Sequence, residues 1–289
     1  MRLLRVISVA AVSLLVLSAS AYGSESPRKE VSAKDFNPRN FDRSTLIDNE
    51  WLPLKPGTQY VYEGSTLEGR KRVPHRVVFT VTDLTKVIDG VRALVIWDRD
   101  FNSEGHLIEP ELTFFAQDND GNVWHLGQYR ETYDEKGEFV GGRVWVSGLE
   151  GARAGIMMKA VPRLGTPAYS EGYAPPPFYW ADFAKVDKMG QKACVPFRCY
   201  EDVLVTDEFD KFEPGAHQLK FYARGVGNVR VGWRGGNDPE KETLVLAKVV
   251  QLSGAALTKV RAKALELETR ANTYSLTRPA ERTLGAEGR

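Results

Sequence analysis

The sequence has few of the residues on which most metal and redox sites depend, with only two cysteines and four histidines among 289 residues. The histidines, His75, His106, His125 and His217, form no H-x-H or H-E-x-x-H pattern, so a zinc site of that type is not predicted. A G-x-S-x-G nucleophile motif is also absent. The sequence therefore predicts no metal and no cofactor.

Long apolar runs are absent except at the N-terminus. There, Arg2 and Arg5 precede an apolar run over 6–17 and the small residues Ala19-Ser20-Ala21. This order is typical of a secretory signal peptide, predicted over 1–21. No later apolar run approaches the ~18 residues of a transmembrane helix. We expect an exported protein, periplasmic or extracellular, with no membrane span after signal removal.

The charge is balanced, with 39 basic and 38 acidic residues. Removal of Arg2 and Arg5 with the signal peptide keeps the net charge near zero. A general nucleic-acid binder would carry a basic excess, so nucleic acid is not a predicted partner.

Turn signals recur at short intervals and separate β-prone segments. The turn dipeptides are Asp89-Gly90, Glu104-Gly105, Asp120-Gly121 and Lys136-Gly137. The segments between them are rich in Val, Phe, Tyr, Trp and Thr, as at 77–82, 94–97 and 143–146. This pattern predicts a mainly β fold built from an antiparallel meander.

Three short motifs recur in the same order about 107 residues apart, which suggests that the meander is duplicated. They are G-T-x-x-x-x-E-G at 57–64 and 165–172, L-x-F-x-A at 112–116 and 219–223, and G-N-V at 121–123 and 227–229. Chance similarity is the alternative, because Gly-Thr and Gly-Asn are common at turns. A duplication predicts a β-sandwich or half-barrel followed by a C-terminal helix.

The predicted boundaries follow from the repeats and the flanking segments. They are a signal peptide (1–21), an N-terminal arm (22–50), repeat A (51–148), a connector (149–164), repeat B (165–252), a helix (253–273) and a polar tail (274–289). In the helix, Ser253 is the expected N-cap.

The cysteines, Cys194 and Cys199, map through the repeat offset onto Val87 and Arg92, which flank the Asp89-Gly90 turn. Opposed residues of an antiparallel pair have Cα atoms about 4.5–5.5 Å apart, within reach of a disulfide. In an oxidising compartment we therefore expect a disulfide. A zinc site or a C-x-x-C redox centre fits the C-x4-C spacing less well.

Two carboxylate pairs support a minority hypothesis of acid/base chemistry. Asp98 and Asp100 would share one strand face, roughly 7 Å apart, and Glu109 and Glu111 would lie on the returning strand. Such a set suits glycoside hydrolysis. Charged residues at strand ends are more often solvated or paired.

The proline-rich segment 173–180 is flanked by aromatic residues and is a candidate rim over a cavity. Its aromatic members are Tyr173, Phe178, Tyr179 and Trp180. The alternative is a loop whose aromatic side chains cover the core.

A set of ordered landmarks resembles an uncharacterised family of exported bacterial proteins. These landmarks are LPLKPGTQYVYEG, AQDNDGNVWHLG, DVLVTDEF, FYARGVGNV and the C-terminal LSGAALTKVRAKALELETRANTYSLTRPAER. The resemblance covers most of the mature chain and implies a β-rich fold and a bacterial source. It brings no functional residues with it.

The preferred functional hypothesis is non-enzymatic binding of a lipophilic small molecule or an envelope protein. The candidate cavity residues are aromatic residues of both repeats: Tyr60, Tyr62, Phe114, Trp124, Tyr169 and Phe221. The alternatives are an envelope carbohydrate hydrolase acting through Asp98, Asp100, Glu109 or Glu111, and a purely structural interaction module. The sequence does not indicate the oligomeric state.

Overall fold

A computed structural model of the chain describes residues 31–176, 178–238, 240–271 and 280–282. The signal peptide predicted at 1–21 and most of the predicted tail at 274–289 lie outside the described residues. Within them, two short 3-10 helices, Ala33–Asp35 and Pro38–Asn40, precede the first strand.

The described residues form fifteen strands and one α-helix. In chain order the elements are β1 Thr58–Glu68, β2 Lys71–Ile88, β3 Val91–Phe101, β4 Leu107–Gln117, β5 Val123–Tyr133, β6 Phe139–Val146, β7 Arg153–Met158, β8 Tyr169–Ser170, β9 Gly172–Tyr173, β10 Asp182–Cys194, β11 Cys199–Asp210, β12 His217–Ala223, β13 Gly227–Arg234, β14 Thr243–Gln251, α1 Gly254–Ala271 and β15 Glu281–Arg282.

Two antiparallel meanders, β1 to β5 and β10 to β14, join edge to edge where β14 pairs with β1. At the far ends of this sheet, β7 pairs with β9 and β8 pairs with β10. Only Glu171 separates β8 from β9, so the two ends of the sheet nearly meet. The result is a nearly closed, barrel-like antiparallel sheet with one C-terminal helix, which confirms the predicted fold class.

The predicted turns all lie between consecutive strands from β2 to β6. Asp89 and Gly90 connect β2 to β3 with φ values of 48° and 78°. A two-residue hairpin turn of this kind needs positive φ at both positions, which Asp-Gly supplies. The other three dipeptides separate β3 from β4, β4 from β5, and β5 from β6.

The strand order is the one that a duplication would produce. Val87 opposes Arg92 across β2 and β3, and Cys194 opposes Cys199 across β10 and β11. The duplication itself stays a prediction. The segment predicted as a connector contains a strand, β7. This strand, Arg153–Met158, pairs with the start of β5, whereas β6 pairs with the rest of β5.

The sheet has two buried faces, since side chains alternate along each strand. We call the concave side the inner face; its core includes Leu94, Ile96 and Phe115. The outer face has its own core, which includes Val95 and Phe114. Neighbouring residues of one strand thus belong to different cores.

The helix α1 packs on the outer face through Ala264, Leu267 and Ala271. The N–H of Ala256 donates to Ser253 Oγ at 3.3 Å, which confirms the predicted N-cap. The arm before β1 covers another part of this face, where Phe36 packs edge-on against a buried tryptophan of β5.

The near closure of the sheet depends on a close approach between β7 and β9. A Cβ atom at Gly155 would lie 2.1 Å from the backbone nitrogen of Gly172. Only glycine allows the two strands to cross at this distance.

Candidate functional site

A cleft on the inner face is the candidate functional site. It consists of an apolar part with a volume of about 230 Å³ and a polar part of about 530 Å³. The two parts adjoin, because Phe79, Asp98, Phe115, Met157, Gln218 and Lys220 line both. The polar part alone falls within the ~300–1,000 Å³ typical of small-molecule sites.

The apolar part is bounded by residues from both meanders. Tyr60 and Tyr62 of β1 face Val231 and Leu244 of β13 and β14. The hydroxyl of Tyr62 donates to the carbonyl of Asn228 at 2.8 Å. Burial raises the pKa of Tyr60 to about 12, so this wall is uncharged at neutral pH.

The four predicted carboxylates come together on β3 and β4. Asp98 lies directly opposite Glu111, and Asp100 directly opposite Glu109. Asp98 and Asp100 line the apolar part, and Asp98 and Glu111 line the polar part. The predicted pairing of strands thus places three of the four side chains in the cleft.

The environment of these carboxylates favours their neutral forms. Burial raises the pKa of Asp98 to about 6, although the backbone N–H of Arg99 opposes the shift. Burial raises the pKa of Glu111 to about 7, while Arg130 opposes that rise. Burial and the neighbouring Asp98 hold the pKa of Asp100 well above its usual range.

Glu109 has a different role, because Arg130 Nη1 donates to it at 2.9 Å. Arg130 Nε is also 3.9 Å from Glu111. Arg130, on the neighbouring strand β5, therefore offsets part of the negative charge of these four carboxylates.

A bulge in β5 brings two more side chains into the polar part. The register shifts between Phe114 and Phe115, whose partners are Gly127 and His125. With one extra residue in β5, His125 and Gln128 both line the cleft although they are three residues apart.

His125 forms part of an aromatic wall. Its ring lies 4.9 Å from Trp145 and 5.1 Å from Trp180, measured between ring centroids. Burial lowers the pKa of His125 to about 3, so the imidazole is neutral. It is a packing residue on this wall.

Sequence reasoning missed a second group of charged side chains, contributed by β10 to β12 and the β8–β9 junction. Glu171, Asp182, Glu208 and Lys220 all line the polar part. Lys220 Nζ lies 2.5 Å from Glu208. The sequence does contain one signal for this group. Lys220 is two residues before the buried Tyr222, so this charged residue lies on the same strand face as a buried one.

The six aromatic residues predicted to line the cavity are divided between the faces. Tyr60 and Tyr62 line the cleft. Phe114 and Trp124 belong to the outer-face core. Tyr169 is buried opposite Ala184 of β10, with its ring centroid 4.5 Å from Lys159 Nζ, and does not line the cleft. Phe221 lies under the Arg230 guanidinium, 4.9 Å from its ring centroid.

This placement corrects the predicted lining. The inward positions belong to Phe115 and Tyr222, the next residues along the chain from Phe114 and Phe221. A shift of one residue reverses the face on which a side chain lies.

The predicted rim segment contributes one residue to the cleft. Trp180 lines the polar part and stacks on Trp145, with ring centroids 4.8 Å apart. Tyr179 is exposed and contacts Phe212. Tyr173 lies beneath Arg153, and Phe178 packs with Trp145, Ala152 and Ala174 in a small separate cluster.

The predicted disulfide is present away from the cleft. Cys194 and Cys199 are bonded at the end of the β10–β11 hairpin, with Cα atoms 3.9 Å apart. Both residues are exposed, whereas the neighbouring Ala193 and Val195 point into the inner core. The bond therefore closes a hairpin and does not line the site.

Over the described ranges, no group of three or more His, Cys, Asp or Glu side chains is placed to hold a metal ion. The single α-helix found in the same ranges is not apolar enough to cross a membrane.

No protein-family model and no curated protein sequence matches the chain. Among solved structures, it is similar to a proposed exported protein of YmcC-like fold from Bacteroides fragilis, with 11% identity, a TM-score of 0.37 and coverage of 70% of this chain and 99% of the other. It is also similar to a proposed lipoprotein from Parabacteroides distasonis, with 11% identity, a TM-score of 0.40 and coverage of 70% and 100%.

Proposed function

We propose that the chain is an exported, non-enzymatic protein that binds a small lipophilic molecule in the inner-face cleft. The observation that supports this most is the apolar part of the cleft, where Tyr60, Tyr62 and Leu244 surround open space of about 230 Å³. An apolar cavity with a few polar groups at its edge is the usual form of a small-molecule site. Export is supported by the N-terminal pattern over 1–21 and by the disulfide.

The neutral fluorescent probe N-phenyl-1-naphthylamine tests this proposal directly. We expect its emission to rise on binding to the mature protein. Val226→Trp should weaken binding at least tenfold, because Val226 lines the apolar part and is only half-buried, so the larger ring can enter the open space.

Val140→Trp is the matched control, since Val140 is 67% exposed. It should leave probe affinity unchanged. Absence of probe binding to the unsubstituted protein, or equal affinity in both variants, would contradict the proposal.

An envelope protein is the alternative binding partner. The exposed apolar side chains that could dock it are dispersed over different elements, such as Phe139 on β6, Phe197 in the β10–β11 turn and Trp233 on β13. A docking surface usually presents such groups as one contiguous patch. The cleft therefore supports the small-molecule version better.

Carbohydrate hydrolysis is the second candidate, favoured by the facing pair Asp98 and Glu111. A carboxyl whose pKa lies near neutrality suits a general acid, and burial raises the pKa of Glu111 to about 7. Against it, Glu109 is already engaged by Arg130.

A panel of chromogenic glycosides would test this candidate. If hydrolysis occurs, Asp98→Asn and Glu111→Gln should each abolish it, whereas Glu135→Gln in the exposed β5–β6 turn should not. Turnover that persists in both cleft variants would exclude the assigned carboxylates.

A further inference from the structure

The polar part of the cleft has an excess of acidic groups over basic ones. Its two strong bases are Arg130 and Lys220. Each already has a carboxylate partner, Glu109 at 2.9 Å and Glu208 at 2.5 Å. Arg130 also lies 3.9 Å from Glu111, so these two bases have no ion pair with Glu171 or Asp182, which line the same part of the cleft.

Glu171 is the most exceptional of those carboxylates. It is only 3% exposed, and its Oε1 atom is buried without a hydrogen-bond partner. Buried carboxylate oxygens are normally satisfied by a donor. Because Glu171 lines the cleft, its carboxyl group borders the space that a ligand would fill.

Asp182, at the start of β10, lies in the same part of the cleft. Within the described ranges, neither Glu171 nor Asp182 has a basic side chain within ion-pair distance. The titratable groups that face them from neighbouring elements are Tyr169 on β8, Glu208 and Asp210 on β11, Lys220 and Tyr222 on β12, and His125 and Arg130 on β5.

The pKa shifts of Glu171 and Asp182 have the direction expected when no positive charge lies close to them. Burial and the nearby Glu208 hold the pKa of Glu171 well above its usual range. Burial and Asp210 raise the pKa of Asp182 to about 7. A cation beside them would favour their ionised forms and lower both pKa values.

Aromatic side chains complete this environment. Trp180, Phe79 and Phe115 line the polar part, and aromatic faces attract organic cations. The apolar part adjoins it on the side of Tyr60 and Tyr62. One molecule with a charged head and an apolar body could occupy both parts.

We propose that the cleft binds an organic cation whose ammonium group lies beside Glu171 and Asp182 and whose apolar body extends toward Tyr60 and Tyr62. This inference rests on the proposed function, because it assigns the charge of the molecule that the cleft holds. A fixed pair of carboxylates in a low-dielectric site gives selectivity for a cation over a neutral molecule of the same shape.

The test compares three probes by isothermal titration calorimetry: 4-phenylbutyltrimethylammonium, its isosteric uncharged analogue with carbon in place of nitrogen, and the anion 4-phenylbutyrate. At pH 8 we expect the cation to bind at least tenfold more tightly than the uncharged analogue, and the anion to bind most weakly. The cation affinity should rise between pH 6 and pH 8. Since a quaternary ammonium does not titrate, this rise would report ionisation of the protein.

Glu171→Gln and Asp182→Asn keep the shape of each side chain and remove its charge. In both variants we expect the ratio of cation to neutral affinity to fall toward one. A cooperative urea unfolding transition in each variant would show that it is folded. Glu135→Gln, on an exposed turn, is the charge-matched control and should keep the full ratio.

The outcomes separate the two proposals. Equal binding of the cation and its neutral analogue to the unsubstituted protein would overturn the cation inference and leave small-molecule binding intact. Binding of none of the probes would overturn both. A cation preference that persists in both cleft variants would show that Glu171 and Asp182 are not its source.

Discussion

Both faces of the sheet bury charged side chains, but the two faces differ in whether these side chains have partners of opposite charge. On the outer face, Lys86 Nζ lies 2.6 Å from Glu268 on α1, and both side chains are almost fully buried. Glu131 accepts hydrogen bonds from Arg270 of α1 and from the hydroxyl of Tyr129. These groups hold the helix against the sheet.

On the inner face, the buried Glu171 and the half-buried Asp182 have no such basic partner. The pKa values shift in opposite directions for this reason. Burial alone would raise the pKa of Glu131, but its hydrogen bonds, led by the one from Arg270, lower it. Burial raises the pKa of Asp182 to about 7, with Asp210 adding to the shift.

Burial therefore does not by itself decide the state of a carboxylate in this protein. The protonation state depends on whether a basic or hydrogen-bonding partner is present, and on the outer face α1 supplies such a partner. Unpaired buried acids lower stability. They are expected at sites where the partner is a ligand that binds reversibly. This contrast is what favours the inner face as the functional one.

The largest expected effect comes from breaking an outer-face pair. Lys86→Met leaves Glu268 buried without this partner, and removal of one member of a buried pair typically costs about 3–5 kcal/mol. We expect the free energy of unfolding, measured in urea at pH 7, to fall by about 3 kcal/mol.

The double variant Lys86→Met/Glu268→Met is its control. It replaces both charges with apolar side chains of similar length and should recover most of the lost stability. If the double variant is as unstable as the single one, lost packing rather than an unpaired charge is the cause.

A smaller effect is expected at the disulfide, which lies outside both buried faces. Cys194→Ala/Cys199→Ala opens a short loop, and the chain-entropy relation gives a loss of about 2 kcal/mol. Urea unfolding under non-reducing conditions would measure it. Because both cysteines are exposed, affinity for N-phenyl-1-naphthylamine should not change, and a loss of affinity would show that the hairpin shapes the cleft.

Local patterns were sufficient to predict most of the fold. Asp-Gly and related turns located the hairpins, and Ser253 located the start of α1. The opposition of Cys194 and Cys199 followed from the repeat offset and is observed. These features depend on neighbours in sequence or on a regular offset, so they are visible without the structure.

The site was predicted less well, because its composition depends on which face each residue occupies. Glu109 and Glu111 lie on the strand that returns from Asp98 and Asp100, as predicted. Bulges in β5 and β13 shift the alternation of those strands by one residue, and this cannot be read from the pattern of apolar residues. Glu171 was missed because its burial arises only where the two ends of the sheet meet.

The smallest expected effect is a pH dependence that separates the faces. A raised pKa means that the folded state holds protons more tightly than the unfolded state, so stability falls as pH rises. For Asp182 this fall starts near its ordinary value of 3.8 and ends near 7. The contribution of Glu131 has the opposite sign and is lost only below its ordinary value of 4.5, so between pH 5 and 8 it is constant.

We therefore expect Asp182→Asn to gain at least about 1 kcal/mol over the unsubstituted protein between pH 5 and pH 8, since one pKa unit is worth about 1.4 kcal/mol. Urea unfolding at several pH values would measure the difference. His75, whose pKa is raised because Glu242 outweighs burial, is present in both proteins, so the comparison cancels its contribution. A difference that is independent of pH would mean that Asp182 is ionised throughout, and that the inner face compensates its charges as the outer face does.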